Sequence, residues 1–225
     1  MTWVKICGTT SLRDAKLCVA AGANAVGFVF APSRRRIEPA AAAEIVCELR
    51  GEIESIGVFV NQTPEQVAEI ARSMALAGVQ LHGDEPATSL AEFRRLLGNR
   101  KIIKGLSARA LQSGEIGLAD YLAERESLDA ILLDSGSPQQ RGGTGTSFDW
   151  EAVRPIAEQI RRAMPLIIAG GLNSDNVAQA IELFQPWGVD VVSGVESSPG
   201  VKDEAKLHDF IAAVRQVPAS VMPRK

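Results

Sequence analysis

Short apolar, β-branched runs alternate with longer helix-forming segments from one end of this chain to the other, and no other feature constrains its fold as tightly. The runs are Val4 to Cys7, Ala25 to Phe30, Ser55 to Val60, Gly78 to His82, Lys101 to Leu106, Ala130 to Asp134, Leu166 to Ala169 and Val189 to Ser193. Near-continuous apolar strands separated by helices mark a parallel sheet, because each parallel connection needs a crossover and the crossover helices bury the sheet. Helix-start signals stand in the intervening segments: Ser11 with Asp14, Pro39, Thr63-Pro64 with Gln66, and Ser174 with Asp175. Eight such strand–helix units in 225 residues predict an α/β fold, a closed single-domain (β/α)8 TIM barrel over residues 1–225 with 216–225 as a frayed tail. The alternative, a doubly wound open sheet, usually has fewer strands, and no G-x-G-x-x-G fingerprint follows the first strand.

Composition narrows the classes of function. Hydrophobic residues make 46% and charged residues 23% of the chain, as in ordinary globular proteins, and the net charge is −3. Basic residues are scattered except at Arg34, Arg35 and Arg36, so nucleic acid is not an expected partner. No apolar run approaches the roughly 20 residues of a membrane span, and no secretory leader opens the chain. Cys7, Cys18 and Cys47 are odd in number and widely spaced, which fits a reducing cytoplasm rather than a disulfide framework or a thiolate metal site.

Barrel sites are built from the C-terminal ends of the strands and the loops beyond them. Here those ends are rich in glycine and polar residues. Gly142, Gly143 and Gly145 follow the sixth strand, Gly170 and Gly171 end the seventh, and Ser193-Gly194 end the eighth. Any one of these clusters reads as a tight turn. Three in adjacent loops read as a phosphate cradle, since glycine lets backbone N–H groups approach an anion closely. Asp134 closes an apolar run, where partial desolvation would raise its pKa toward that of a usable general acid; its plainer role is to cap the next loop.

Cys7 ends strand one, across the same mouth from Asp134, and is a candidate base or nucleophile. Lys5 lies on the same face two residues deeper, so it need not supply charge to the thiol. Arg35 and Arg36, in the loop after strand two, suit a carboxylate, although arginine runs on loops are commonly solvated. Gln80 and His82 at the end of strand four and Asp190 on strand eight are candidate supporting groups. Cys18, Cys47 and His208 fall in helical segments and are assigned no role.

The motifs VKICG, GFVF, GVFVN, QLHG, LLDS followed by GGTG and FDW, AGGL, and DVVSGVE followed by PGVKD occur in that order. Together they make the chain resemble the phosphoribosylanthranilate isomerases from Val4 to about Phe210. The resemblance implies an Amadori rearrangement in tryptophan biosynthesis, without metal or organic cofactor, on one small-molecule substrate. N-(5-phosphoribosyl)anthranilate becomes 1-(2-carboxyphenylamino)-1-deoxyribulose 5-phosphate. It also implies that Asp134 is the general acid opening the ribose ring, that Cys7 is the base removing the C2′ proton, and that Arg35, with Arg36 as its rival, holds the anthranilate carboxylate. Asp190 and Glu196 are read as supports of the last loop, and Val192 replaces a common serine of the motif. The expected assembly is a monomer, with a homodimer as the alternative. Competing readings are another phosphosugar enzyme, or a catalytically silent barrel that binds a phosphorylated ligand.

Overall fold

The computed structural model describes residues 1–49, 51–134 and 150–218. Eight parallel strands close into a barrel in sequence order: β1 (Trp3–Cys7), β2 (Ala25–Val29), β3 (Glu54–Phe59), β4 (Gly78–Leu81), β5 (Lys101–Ser107), β6 (Ala130–Asp134), β7 (Leu166–Ala169) and β8 (Gly188–Val191). Every strand lies within two residues of its expected bounds. The outer layer holds α1 (Leu12–Ala21), α2 (Pro39–Leu49), α3 (Pro64–Ser73), α4 (Leu90–Leu97), the short α5 (Ala108–Ser113) and α6 (Leu118–Ala123), then α7 (Trp150–Ala163), α8 (Val177–Phe184) and α9 (Glu204–Gln216). Between β8 and α9 the chain makes a small antiparallel hairpin, β9 (Glu196–Ser198) and β10 (Val201–Lys202), which no sequence signal announced.

The helix starts show how local chemistry sets the bounds. Ser11 accepts the Asp14 N–H at 3.1 Å and caps α1. Thr63 and Gln66 form a reciprocal capping box ahead of α3, with Pro64 at its first position. The expected start at Ser174-Asp175 needs correction, because α8 begins at Val177. Asn173 Oδ1 accepts the N–H groups of Asp175 at 2.9 Å and Asn176 at 3.2 Å, so those residues are held in an Asx turn instead of a first helical turn. At the other end α9 runs on through Gln216, with Val217 packed against the core. The rest of the expected tail, 219–225, lies outside the described residues.

Strand alternation divides the side chains between two layers. Val4 and Ile6 of β1, Val79 and Leu81 of β4, and Val189 and Val191 of β8 pack outward beneath the helices. Trp3, Ala25, Ile56, Ile103, Ala130, Leu132, Ile167 and Ala169 fill the interior. Trp3 stacks on Trp187 at 4.9 Å, and Lys101 sits 5.3 Å over the Trp3 ring while its Nζ pairs with Glu54 at 2.7 Å. That aromatic plug seals the end of the barrel opposite the strand C-termini. Among the described residues no helix is long and apolar enough to cross a membrane.

Candidate active site

At the C-terminal ends of the strands a cavity of about 390 Å³ is lined by Cys7, Arg35, Gln80, His82, Asp134, Gly170, Gly171, Asp190 and Ser193, among others. The size suits a small molecule. These side chains arrive there because β1, β4, β6 and β8 each point an inward position at the rim: Cys7, Gln80, Asp134 and Asp190.

Cys7 is buried, and its register partner on β2 is Gly27. A Cβ at Gly27 would stand 2.7 Å from Cys7 Sγ and 3.1 Å from Lys5 Cε, so this strand glycine clears the space for both side chains. Burial pushes the Cys7 thiol above its ordinary pKa; the charges of Lys5 and Lys202 pull it down, and Asp190 pushes it up. Alternation places Lys5 two residues deeper than Cys7, so that it need not supply charge to the thiol, but its charge does reach the thiol and favours the thiolate. Lys5 is fully buried and pairs with Asp190 at 2.7 Å. Although burial lowers the lysine, Asp190 and Cys7 raise it further, so it stays cationic. Asp190, expected to support a loop, instead lies buried in the barrel as the partner of this lysine.

Arg35 and Arg36 part company. Arg36 is half exposed, pairs with Glu38 at 3.0 Å, and does not line the cavity. Arg35 does. Its Nε bonds both oxygens of Glu196 at 2.9 and 3.0 Å, and its Nη2 bonds Glu196 Oε2 at 2.7 Å. Those bonds use one edge of the guanidinium and leave the Nη1/Nη2 edge to hold a second carboxylate in the same bidentate way. The Glu196 hydrogen bonds raise the Arg35 pKa. Burial tends to raise the Glu196 carboxyl, but Arg35 and Lys202 together hold it below its ordinary value. Gly8 permits the arrangement: its φ is +73°, and a Cβ there would lie 2.6 Å from Arg35 Cδ.

Asp134 stands at the rim with its side chain 36% exposed, and His82 Nε2 lies 3.7 Å from its Oδ2. Gln80 Nε2 faces His82 Nδ1 at 3.0 Å. Gln80 Oε1 is buried without a partner among the described residues. His82 itself is fixed from behind. The buried Lys104 donates to the carbonyls of Leu81 at 3.3 Å and Gly83 at 2.8 Å, on either side of it, and to Glu85 at 2.8 Å.

Gly170 (φ +94°) and Gly171 (φ +66°) both take the left-handed conformation and line the cavity with Ser193. Gly194 lies behind them, where a Cβ would collide with the Leu172 carbonyl, so its part is to let the loops after β7 and β8 approach. Gly142, Gly143 and Gly145 lie outside the described residues. Among the described residues no cluster of three His, Cys, Asp or Glu side chains could hold a metal ion.

Sequence reasoning missed Lys202, whose Nζ reaches the Cys7 carbonyl, and the Lys104–Glu85 pair beneath His82. Their one sequence signal is a lysine within an otherwise apolar or turn-like segment, which does not reveal a partner.

Residues 4–213 match the family model described as N-(5′-phosphoribosyl)anthranilate (PRA) isomerase. The chain is 43% identical over 216 residues to N-(5′-phosphoribosyl)anthranilate isomerase of Desulforudis audaxviator, covering 96% of this chain and 99% of the relative. It is similar to the crystal structure of phosphoribosyl anthranilate isomerase from Thermotoga maritima, at 40% identity and TM-score 0.79, covering 96% and 99% of the two chains. It also matches a phosphoribosyl anthranilate isomerase solved in complex with reduced 1-(o-carboxyphenylamino)-1-deoxyribulose 5-phosphate, at 38% identity and TM-score 0.77 over the same shares.

Proposed function

The chain belongs to the N-(5′-phosphoribosyl)anthranilate isomerase family and is an isomerase of tryptophan biosynthesis; from that premise we propose how its own residues divide the reaction. Asp134 protonates the ring oxygen of the substrate ribose, the C1′–O bond breaks, and the anthranilate nitrogen's lone pair forms the Schiff base. Cys7, as the thiolate, removes the C2′ proton; the electrons of that C–H bond move toward the nitrogen and give the enolamine, which tautomerises to the ketose.

His82, 3.7 Å from Asp134 Oδ2, is a supporting residue that positions this carboxyl, which regains a proton from solvent after each turnover while Cys7 gives up the one it removed. Lys5 keeps a positive charge beside the thiolate when it forms. The outer edge of Arg35 receives the anthranilate carboxylate, and Gly170, Gly171 and Ser193 receive the phosphate, with Gly194 shaping that loop and Gly142, Gly143 and Gly145 assigned to the same cradle.

The observation that carries this reading is that a thiol, a carboxyl and a guanidinium held by its own glutamate all line one cavity of small-molecule size. We place the protein in the cytoplasm, as one domain and as a monomer. The three unpaired cysteines, Cys47 among them exposed, support the compartment. The test is a coupled assay that generates phosphoribosylanthranilate in situ and follows loss of its anthranilate-type fluorescence. Wild type should accelerate the loss. Arg35→Ala should raise KM by about tenfold or more, while Arg36→Ala leaves it within about twofold. A folded wild type that gives only the uncatalysed rate would defeat the function, and equal KM effects of the two substitutions would defeat the assignment of Arg35.

A further inference from the structure

We propose that Lys202 and Glu196, carried on the β9–β10 hairpin, are positioning residues that set both ends of the active site together, Lys202 acting on Cys7 and Glu196 on Arg35. The proposal rests on the reading of Cys7 as base and Arg35 as carboxylate anchor given above.

The side chain of Lys202 is fully buried, and its Nζ donates to the Cys7 carbonyl at 2.6 Å and to Glu196 Oε1 at 3.1 Å. Glu196, 3% exposed, also receives the Gly200 N–H at 3.2 Å and the two-nitrogen contact from Arg35. The hairpin is tied back to the barrel where Thr10 Oγ1 donates to the Gly200 carbonyl at 2.6 Å and Lys206 Nζ donates to the Glu196 carbonyl at 2.8 Å.

Arg35 and Lys202 share the single carboxylate of Glu196. Lys5 and Asp190, the other ionised groups facing the thiol, cancel one another from β1 and β8. Lys202 thereby sets a cation near the Cys7 thiol while Glu196 fixes the inner edge of Arg35, so the hairpin acts both where the thiolate forms and where the substrate carboxylate arrives. The Lys202 bond to the Cys7 carbonyl further fixes the backbone from which the thiol projects, just before the turn at Gly8.

The two residues should separate in kinetics. Lys202→Met removes the charge and the grip on Cys7, so kcat at neutral pH should fall about tenfold, with KM within about twofold, and part of the loss should recover as pH rises. Glu196→Gln loosens Arg35, so KM should rise by about fivefold or more with a smaller change in kcat. The decisive readout needs no substrate. Carbamidomethylation of Cys7 by iodoacetamide, followed on the Cys7 peptide by mass spectrometry across pH, should show its midpoint moving up by about one unit in Lys202→Met and returning toward wild type in Lys202→Arg. If Lys202→Met fails to fold, the double variant Lys202→Met/Glu196→Gln removes the lysine and its carboxylate partner together, leaves Arg35 charged, and should still show an upward movement.

An unmoved midpoint in either folded variant, or equal losses in kcat and KM for both single substitutions, would overturn the proposal. A wild type without turnover would overturn the function, whereas the alkylation midpoints report the coupling of Lys202 to Cys7 independently.

Discussion

At Gly8 one missing methyl group decides where Arg35 can go. The left-handed backbone there turns the chain out of β1, and the absent Cβ leaves the track along which the arginine crosses to Glu196. The run Val-Lys-Ile-Cys-Gly was legible as a strand with an inward thiol at its end. What this glycine makes room for was not, because the side chain concerned comes from another loop. Cys7 carries the matching lesson in chemistry. Its thiol stands above its ordinary pKa of 9.0 because burial outweighs the nearby lysines. The ligand-free enzyme thus holds the protonated thiol at neutral pH, and the fraction of thiolate grows about tenfold per pH unit below that pKa. The ratio kcat/KM should therefore climb through pH 7 to 9 without reaching a plateau below 9.0. A plateau reached near pH 7 in the wild-type profile would contradict a buried, raised thiol as the base.

Element by element, the eight strands could be read from their apolar runs, since each spans enough residues for its character to show. The β9–β10 hairpin could not. Its strands have three and two residues, and they are held less by pattern than by Lys202 and Glu196 reaching back into the barrel. That anchoring has a pH signature. The Glu196 carboxyl is held below its ordinary 4.5 by Arg35 and Lys202, against the opposing effect of burial. A carboxyl whose pKa is depressed on folding stabilises the native state fully above its unfolded value, and that contribution is lost as pH falls through the lower folded value. Glu196→Gln should accordingly flatten the loss of stability on acidification below pH 4.5, measured by urea unfolding at a series of pH values, while lowering stability near pH 7. An acid limb as steep as that of wild type would show that the pair does not hold the hairpin.

For the molecule as a whole, closure of the barrel is what brings residues distant in sequence to one rim, and the count of strand–helix units sufficed to foresee it. The order of charges inside could not be foreseen. Lys5, Lys104 and Lys202 are fully buried, each with an acidic partner from another segment: Asp190, Glu85 and Glu196. In sequence each is a lysine in an apolar or turn-like stretch, and the partner appears only once β1 meets β8, or the hairpin folds back onto the end of β1. In the proposed mechanism Cys7 and Asp134 act as base and acid across one cavity. The most direct test of those roles is single-turnover kinetics of Cys7→Ala and Asp134→Asn with phosphoribosylanthranilate, alongside their binding of reduced 1-(o-carboxyphenylamino)-1-deoxyribulose 5-phosphate. Both variants should bind the reduced compound within about threefold of wild type and convert substrate at least about a thousandfold more slowly. A folded variant that binds it as well as wild type and retains more than about a tenth of the wild-type rate would contradict the assignment.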